Sequence, residues 1–277
     1  MNDFKKIAII LFNIFLFSML FFPFNSCSTE KVPGKKEETE INENIWIFLM
    51  AGQSNMAGRG AIEAEDLLTD NRILTINEFN SWIVAKEPLH FYENSGLDCG
   101  MSFAREMLKN VPDSITIAMI PCAVGGSSVF QWLSDKEHRG VKLLSNFYEK
   151  VELSQKKGVI KGILWHQGES NAKTNDIPNY KNALIELFNK FRTSIENNGL
   201  PIILGEIGRF AEPEEKAGYF EEINKIIRNV ATENENLFYV SSEGLDHKGD
   251  HLHFNSEAQR ELGKRYAREM LDFESNK

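Results

Sequence analysis

Three cysteines in 277 residues, Cys27, Cys99 and Cys122, are too few for a fold built on disulfides. Basic residues are also scarce. Lys and Arg number 31 against 40 Asp and Glu, a formal charge of −9, and no Lys/Arg cluster exists beyond KKGVIK at 156–161. A chain without a basic face is not built to neutralise phosphates, which excludes nucleic acid as a partner. No internal repeat and no second linker interrupt the chain after residue 45, so it reads as one domain. The sequence also lacks a G-x-S-x-G serine elbow: the serine that ends the first apolar run, in AGQSNM, has methionine two places on.

What is present begins with a leader. Residues 2–6 (NDFKK) end in two lysines, and residues 7–22 (IAIILFNIFLFSMLFF) are apolar. That run is shorter than the roughly 20 residues a membrane span needs, so the pattern reads as a secretory signal. The following FNSC resembles a loose bacterial lipoprotein box, which implies removal of residues 1–26 and lipidation of Cys27. Ordinary signal cleavage and an uncleaved anchor are the alternatives. Residues 27–44 then read as a solvated tether without apolar periodicity, and 45–277 as the folded domain. On this reading the mature protein has a formal charge of −10, because Asp3, Lys5 and Lys6 are lost, and it sits in the cell envelope, anchored to a membrane by its lipid. Cys99 and Cys122 are either one disulfide or two small buried residues, since spacing gives no geometry.

Five short apolar runs follow: IWIFLM (45–50), ITIAMI (115–120), VIKGILW (159–165), PIILGEI (201–207) and LFYVSS (237–242). Most are β-branched or aromatic and unbroken by charge, as expected of parallel strands covered on both faces. Amphipathic patterns at 101–110, 141–157, 176–198, 219–234 and 255–273 predict the helices between and after them, with Asn255 as the N-cap of the last. Alternation of this kind predicts an α/β fold with a parallel sheet. Segment 61–100 is poorly periodic and reads as irregular structure near a site.

Ligands in such sheets bind at the carboxyl ends of the strands. Those ends carry Ser54 in AGQSN, two glycines in PCAVGGSS, a dense polar group in WHQGESN, and Asp250 three residues before His253 in DHKGDHLHFN. A serine hydroxyl becomes a nucleophile when a histidine takes its proton, and a carboxylate fixes that histidine's tautomer. Asp250 and His253 can lie on one turn, with the far ring nitrogen facing Ser54. Ser127 and Ser128 compete as nucleophiles, although GGSS suits a loop of backbone donors better. Asp246, His247, Asp250, His251 and His253 could instead belong to a metal site completed by His166 and Glu169. Trp165 and His166 read as packing residues. Arg59 either contacts a substrate or pairs with an acidic side chain.

The stretches GQSNMAGRG, PCAVGGSS, WHQGESN and DHLHFN, in that order, resemble the SGNH (GDSL-like) hydrolase superfamily. Within it they are similar to the sialate O-acetylesterase/acetylxylan esterase type domain of carbohydrate esterase family 6. The resemblance spans nearly the whole chain after residue 45. It implies a three-layer α/β/α sandwich, flavodoxin-like, with a five-stranded parallel sheet. It implies a serine esterase that removes O-acetyl groups from oligo- or polysaccharides, with Ser54 as nucleophile, His253 as base and Asp250 as its orienter. The Ser54 and Gly126 N–H groups would face the oxyanion, joined by the Gln167 amide, with Asn171 the second candidate. Glu169 would support the Ser54 loop. Neither a metal nor an organic cofactor is implied. Two other readings stand beside it: a non-catalytic glycan-binding lipoprotein on the same fold, and a metal-dependent hydrolase using the C-terminal His/Asp cluster.

Overall fold

Unbroken runs of β-branched and aromatic residues become strands wherever helices cover both of their faces. The structure, a computed structural model, describes residues 41–276. The expected signal peptide, the lipidation site Cys27 and the tether as far as residue 40 lie outside the described residues. The first strand, β1 (Asn42–Gly52), starts three residues before the apolar run, and its first three residues are exposed. In chain order there follow β2 (Ile73–Ile76), β3 (Trp82–Val84), α1 (Gly100–Leu108), β4 (Thr116–Pro121) and α2 (Val129–Leu133). A hairpin of β5 (Glu137–His138) and β6 (Val141–Lys142) leads into α3 (Leu143–Gln155). The chain then runs through β7 (Gly158–His166), α4 (Ile177–Ile195), β8 (Ile202–Gly205), α5 (Glu214–Glu233), β9 (Leu237–Val240) and α6 (Ser256–Ser275).

The main sheet has seven strands in the order β3-β2-β4-β1-β7-β8-β9, not the five expected. All five predicted strands are present, and every neighbouring pair is parallel except β2 with β3. The two additional strands, ILTI and WIV, come from the segment read as irregular. ILTI and WIV are shorter than the six- and seven-residue apolar runs that mark the other five strands, so the sequence pattern does not reveal them.

Side chains alternate across the central strand. Ile47, Leu49 and Ala51 face a core built with α2 to α5, including Trp165, Phe188 and Phe191. Phe48 and Met50 face the opposite core with α1 and α6, where the Phe48 and Phe103 rings meet edge to face at 4.7 Å. Each fully buried phenylalanine contributes on the order of 2–3 kcal/mol of apolar burial, so these two layers hold the sheet from both sides. Asn255 caps α6 by accepting from the Ala258 N–H, as its sequence position predicts. Cys99 and Cys122 are free and buried, one in each core, so they form no disulfide. Burial pushes both thiols upward, Cys122 to about 12.

The chain leaves β1 toward β2 and β4 on one side, then crosses to β7, β8 and β9 on the other. Loops that diverge in this way open a crevice at the carboxyl end of the central strand.

Candidate active site

β1 ends at Gly52, whose φ of +135° and close approach to β7 demand glycine: a Cβ there would lie 2.1 Å from the His166 carbonyl oxygen. The Gln53 N–H donates to that same carbonyl at 2.9 Å, and the Met56 and Ala57 N–H groups both return to the Gln53 carbonyl. This tight turn presents Ser54 to the crevice. Asn55 ties the turn to the loop after β9. Its Nδ2 donates to the Leu252 carbonyl at 3.2 Å and to Glu169 Oε1 at 2.5 Å, and its Oδ1 accepts from the Phe254 N–H at 3.1 Å.

In that loop Asp250 Oδ1 accepts from the backbone N–H groups of Leu252 and His253. The turn so formed points Asp250 Oδ2 at His253 Nδ1, 2.7 Å away, and His253 Nε2 lies 3.0 Å from Ser54 Oγ. Ser54, His253 and Asp250 therefore stand in one hydrogen-bonded line. Burial alone would raise the Asp250 carboxyl, but the His253 N–H, the His253 ring and the Leu252 N–H outweigh it and hold the group at about 2. His253 is lowered from its ordinary value, chiefly by burial, against the opposing pull of Asp250. At neutral pH an ionised carboxylate thus faces a neutral imidazole, the state in which the ring can take a proton from a hydroxyl as it attacks.

These residues line a cavity of about 560 Å³, a size ordinary for small-molecule sites. Gly125 and Gly126, from the loop after β4, also line it. Among the described residues the Ser54 and Gly126 N–H groups have no protein acceptor, so both are available to a ligand.

The Gln167 amide is placed elsewhere. Gln167 is fully buried and does not line the cavity, and its Nε2 lies within hydrogen-bond distance of Gln53 Oε1, the Ser127 carbonyl and Asn171 Oδ1. Asn171 is equally committed, accepting from the Val129 N–H at the start of α2 and donating to Asp176. The short helical turn Glu169–Asn171 folds both amides beneath the cavity floor. Gln53, itself buried, lines the cavity in the role that the sequence reading gave to Gln167. Its Oε1 accepts from Gln167 Nε2 at 3.0 Å and from the Ser170 N–H at 3.2 Å, and among the described residues its Nε2 has no acceptor at the cavity wall.

Glu169 is buried, and burial raises it to about 7 against the opposing hydrogen bond from Asn55. Among the described residues its Oε2 has no hydrogen-bond donor within reach. Ser127 and Ser128 are both engaged in structure: Ser127 Oγ donates to the Gly52 carbonyl and accepts from Trp132 Nε1, and Ser128 forms a capping box with Gln131 at α2. That box was legible as S-x-x-Q in the sequence. Burial lowers His166 to about 3, and its ring packs edge-on to Phe254. The His247 and His251 rings lie 4.1 Å apart, tilted by 34°. Among the described residues no three His, Cys, Asp or Glu side chains converge as metal ligands. Arg59 lines the cavity and donates to the Gly58 carbonyl, with no acidic partner among the described residues. Sequence reading missed Gln53, Asn55 and Arg139. For the first two the signal was adjacency to Ser54.

Comparison with known proteins identifies the family. A model of the family described as carbohydrate esterase, sialic acid-specific acetylesterase, matches residues 44–272. A probable carbohydrate esterase of Arabidopsis thaliana is 31% identical over 263 residues, covering 86% of this chain and 96% of that protein. Among solved structures, one of an Arabidopsis thaliana protein aligns with a TM-score of 0.73 at 30% identity, covering 83% of this chain and 99% of that one. The crystal structure of NanS aligns with a TM-score of 0.70, covering 86% of this chain and 99% of that one. At 17% identity this is a likeness of fold.

Proposed function

Since the chain belongs to the carbohydrate esterase family of sialic acid-specific acetylesterases, we propose that it is a serine esterase cleaving O-acetyl groups from sugars through an acetyl-enzyme, with substrates of the sialate or acetylated-xylan type. The observation that carries this reading is the Ser54–His253–Asp250 line opening onto a cavity with three unsatisfied donors. Ser54 Oγ attacks the acetyl carbonyl carbon while His253 Nε2 takes the hydroxyl proton. The oxygen that gains the charge is met by the Ser54 and Gly126 N–H groups and by Gln53 Nε2. One such donor is worth roughly 3–4 kcal/mol of barrier. Collapse breaks the bond to the sugar oxygen, which takes the proton from His253. Water then attacks the acetyl ester of Ser54, giving its proton to the same nitrogen, and acetate leaves with the serine restored.

The decisive experiment combines labelling with turnover. An aryl phosphonate is expected to modify Ser54 alone, and Ser54→Ala is expected to keep the wild-type melting temperature while losing acetate release from acetylated glycans. A folded Ser54→Ala protein that still releases acetate overturns the mechanism. Glycan binding by the wild type without any release would mean a binding protein on an esterase fold. From its leader the chain is further proposed to be a cell-envelope lipoprotein acylated at Cys27. Mass analysis of the mature N-terminus tests this, and an unmodified Cys27 refutes it.

A further inference from the structure

The chain is acidic, yet its cavity is not. Arg59, Arg139, Lys216 and Lys248 line it against only Asp250 and Glu169. Asp250 is held by His253 and lies 3.9 Å from Lys248, and Glu169 is buried against Asn55. Arg59, Arg139 and Lys216 therefore face the cavity with no carboxylate in salt-bridge range among the described residues. Elsewhere among the described residues Arg72, Arg209, Arg228, Arg260, Arg265 and Arg268 pair with acids, and Arg105 and Arg192 are held by backbone carbonyls.

The two cavity arginines are built in. A Cβ on Gly125 would lie 2.3 Å from Arg59 Nη2 and 3.7 Å from Arg139 Nη1, and one on Gly126 would lie 3.6 Å from Arg139 Nη2. Both guanidinium groups thus lie over the loop that carries the Gly126 N–H. Gly125 does not have the left-handed φ that would call for glycine, so what its missing side chain provides is room for Arg59.

Arg139 is held there at a local cost. The two-residue connection of the β5–β6 hairpin is Arg139–Gly140, with φ of +51° and +79°. Such a turn favours Asn-Gly, and a bulky residue at its first position costs about 1 kcal/mol or more. The hairpin is tied to the same loop through His138, whose Nε2 donates to the Gly125 carbonyl at 3.0 Å and whose Nδ1 accepts from Gln131.

We propose that Arg59 and Arg139 form an anion subsite beside the reacting centre, which selects acetylated sugars bearing a carboxylate or sulfate near the ester. Guanidinium pairs recognise both groups by charge-assisted bidentate hydrogen bonds. This rests on the esterase reading above.

The test compares three matched substrates: an O-acetylated hexuronoside, its neutral hexoside and the 6-sulfated hexoside. The wild type is expected to favour at least one anionic form over the neutral one by about tenfold or more in kcat/KM, as loss of a charge-assisted contact predicts. Whichever anion is preferred identifies the natural group. Arg139→Asn is expected to hold or raise the melting temperature, because it suits the turn, and to bring the ratio toward one. Arg139→Lys should keep part of it. A wild type that hydrolyses neutral and anionic sugars alike, or a ratio unmoved in folded Arg139→Asn, overturns the subsite and leaves the esterase standing. A wild type inactive on all three sugars and on an aryl acetate overturns both.

Discussion

The floor and the rim of the cavity both carry hydrogen-bond donors, and the fold treats them in opposite ways. On the floor, Gln53, Asn55, Gln167 and Asn171 exchange hydrogen bonds with one another's neighbours until nearly every polar atom is used. At the rim, Arg59, Arg139 and Lys216 have no acid in salt-bridge range among the described residues. Buried polar groups are stable only when satisfied, so the floor cannot wait for a ligand to complete it. Exposed and half-exposed cations are solvated at little cost and can wait. The contrast separates positions that fix reaction geometry from positions that choose among substrates.

The one floor amide that breaks this pattern is Gln53, whose oxygen is held twice and whose nitrogen is free. Gln53→Ala is expected to lower kcat by about 10²–10³-fold with KM nearly unchanged, the signature of a donor felt only in the transition state. Steady-state kinetics on an aryl acetate measures it. An effect confined to KM would move Gln53 from the floor to the rim and break the comparison at its strongest point.

A smaller effect sharpens how dry the floor is. Burial raises Glu169 from an ordinary 4.5 to about 7, so the fold favours its protonated form. That stabilisation is fully present below about 4.5 and is lost as pH rises through about 7, on the order of 3 kcal/mol in all. Glu169→Gln, neutral throughout and still able to accept from Asn55, escapes the loss. Its melting temperature relative to the wild type is expected to rise between pH 5 and pH 8, and a gap independent of pH would mean that water reaches the carboxyl.

What could be read beforehand follows from how each feature is encoded. Five strands announce themselves by apolar runs of six or seven residues, five helices by amphipathic periodicity, and Asp250 and His253 by three-residue spacing. β2 and β3 are too short to announce anything. Gln53 and Gln167 carry the same amide and bond to each other, so only the fold decides which of them meets the cavity. Arg139 lies in an exposed hairpin of two-residue strands, where neither burial nor period marks it.

The last test joins the two regions. Burial lowers His253, and the charges of Arg59 and Lys248 lower it further against the pull of Asp250. Activity requires the neutral ring, so kcat/KM on a neutral aryl acetate should rise with pH through a midpoint below the ordinary 6.5. Arg59→Gln removes one lowering charge, and the midpoint should move up by a fraction of a unit, the smallest change expected here. Because the midpoint is independent of the absolute rate, it reads the field at His253 and not the fit of a substrate. A midpoint that stays in place in Arg59→Gln would make the rim electrostatically separate from the floor. A midpoint that rises would mean that the cation which selects an anionic sugar also keeps the base unprotonated for the attack.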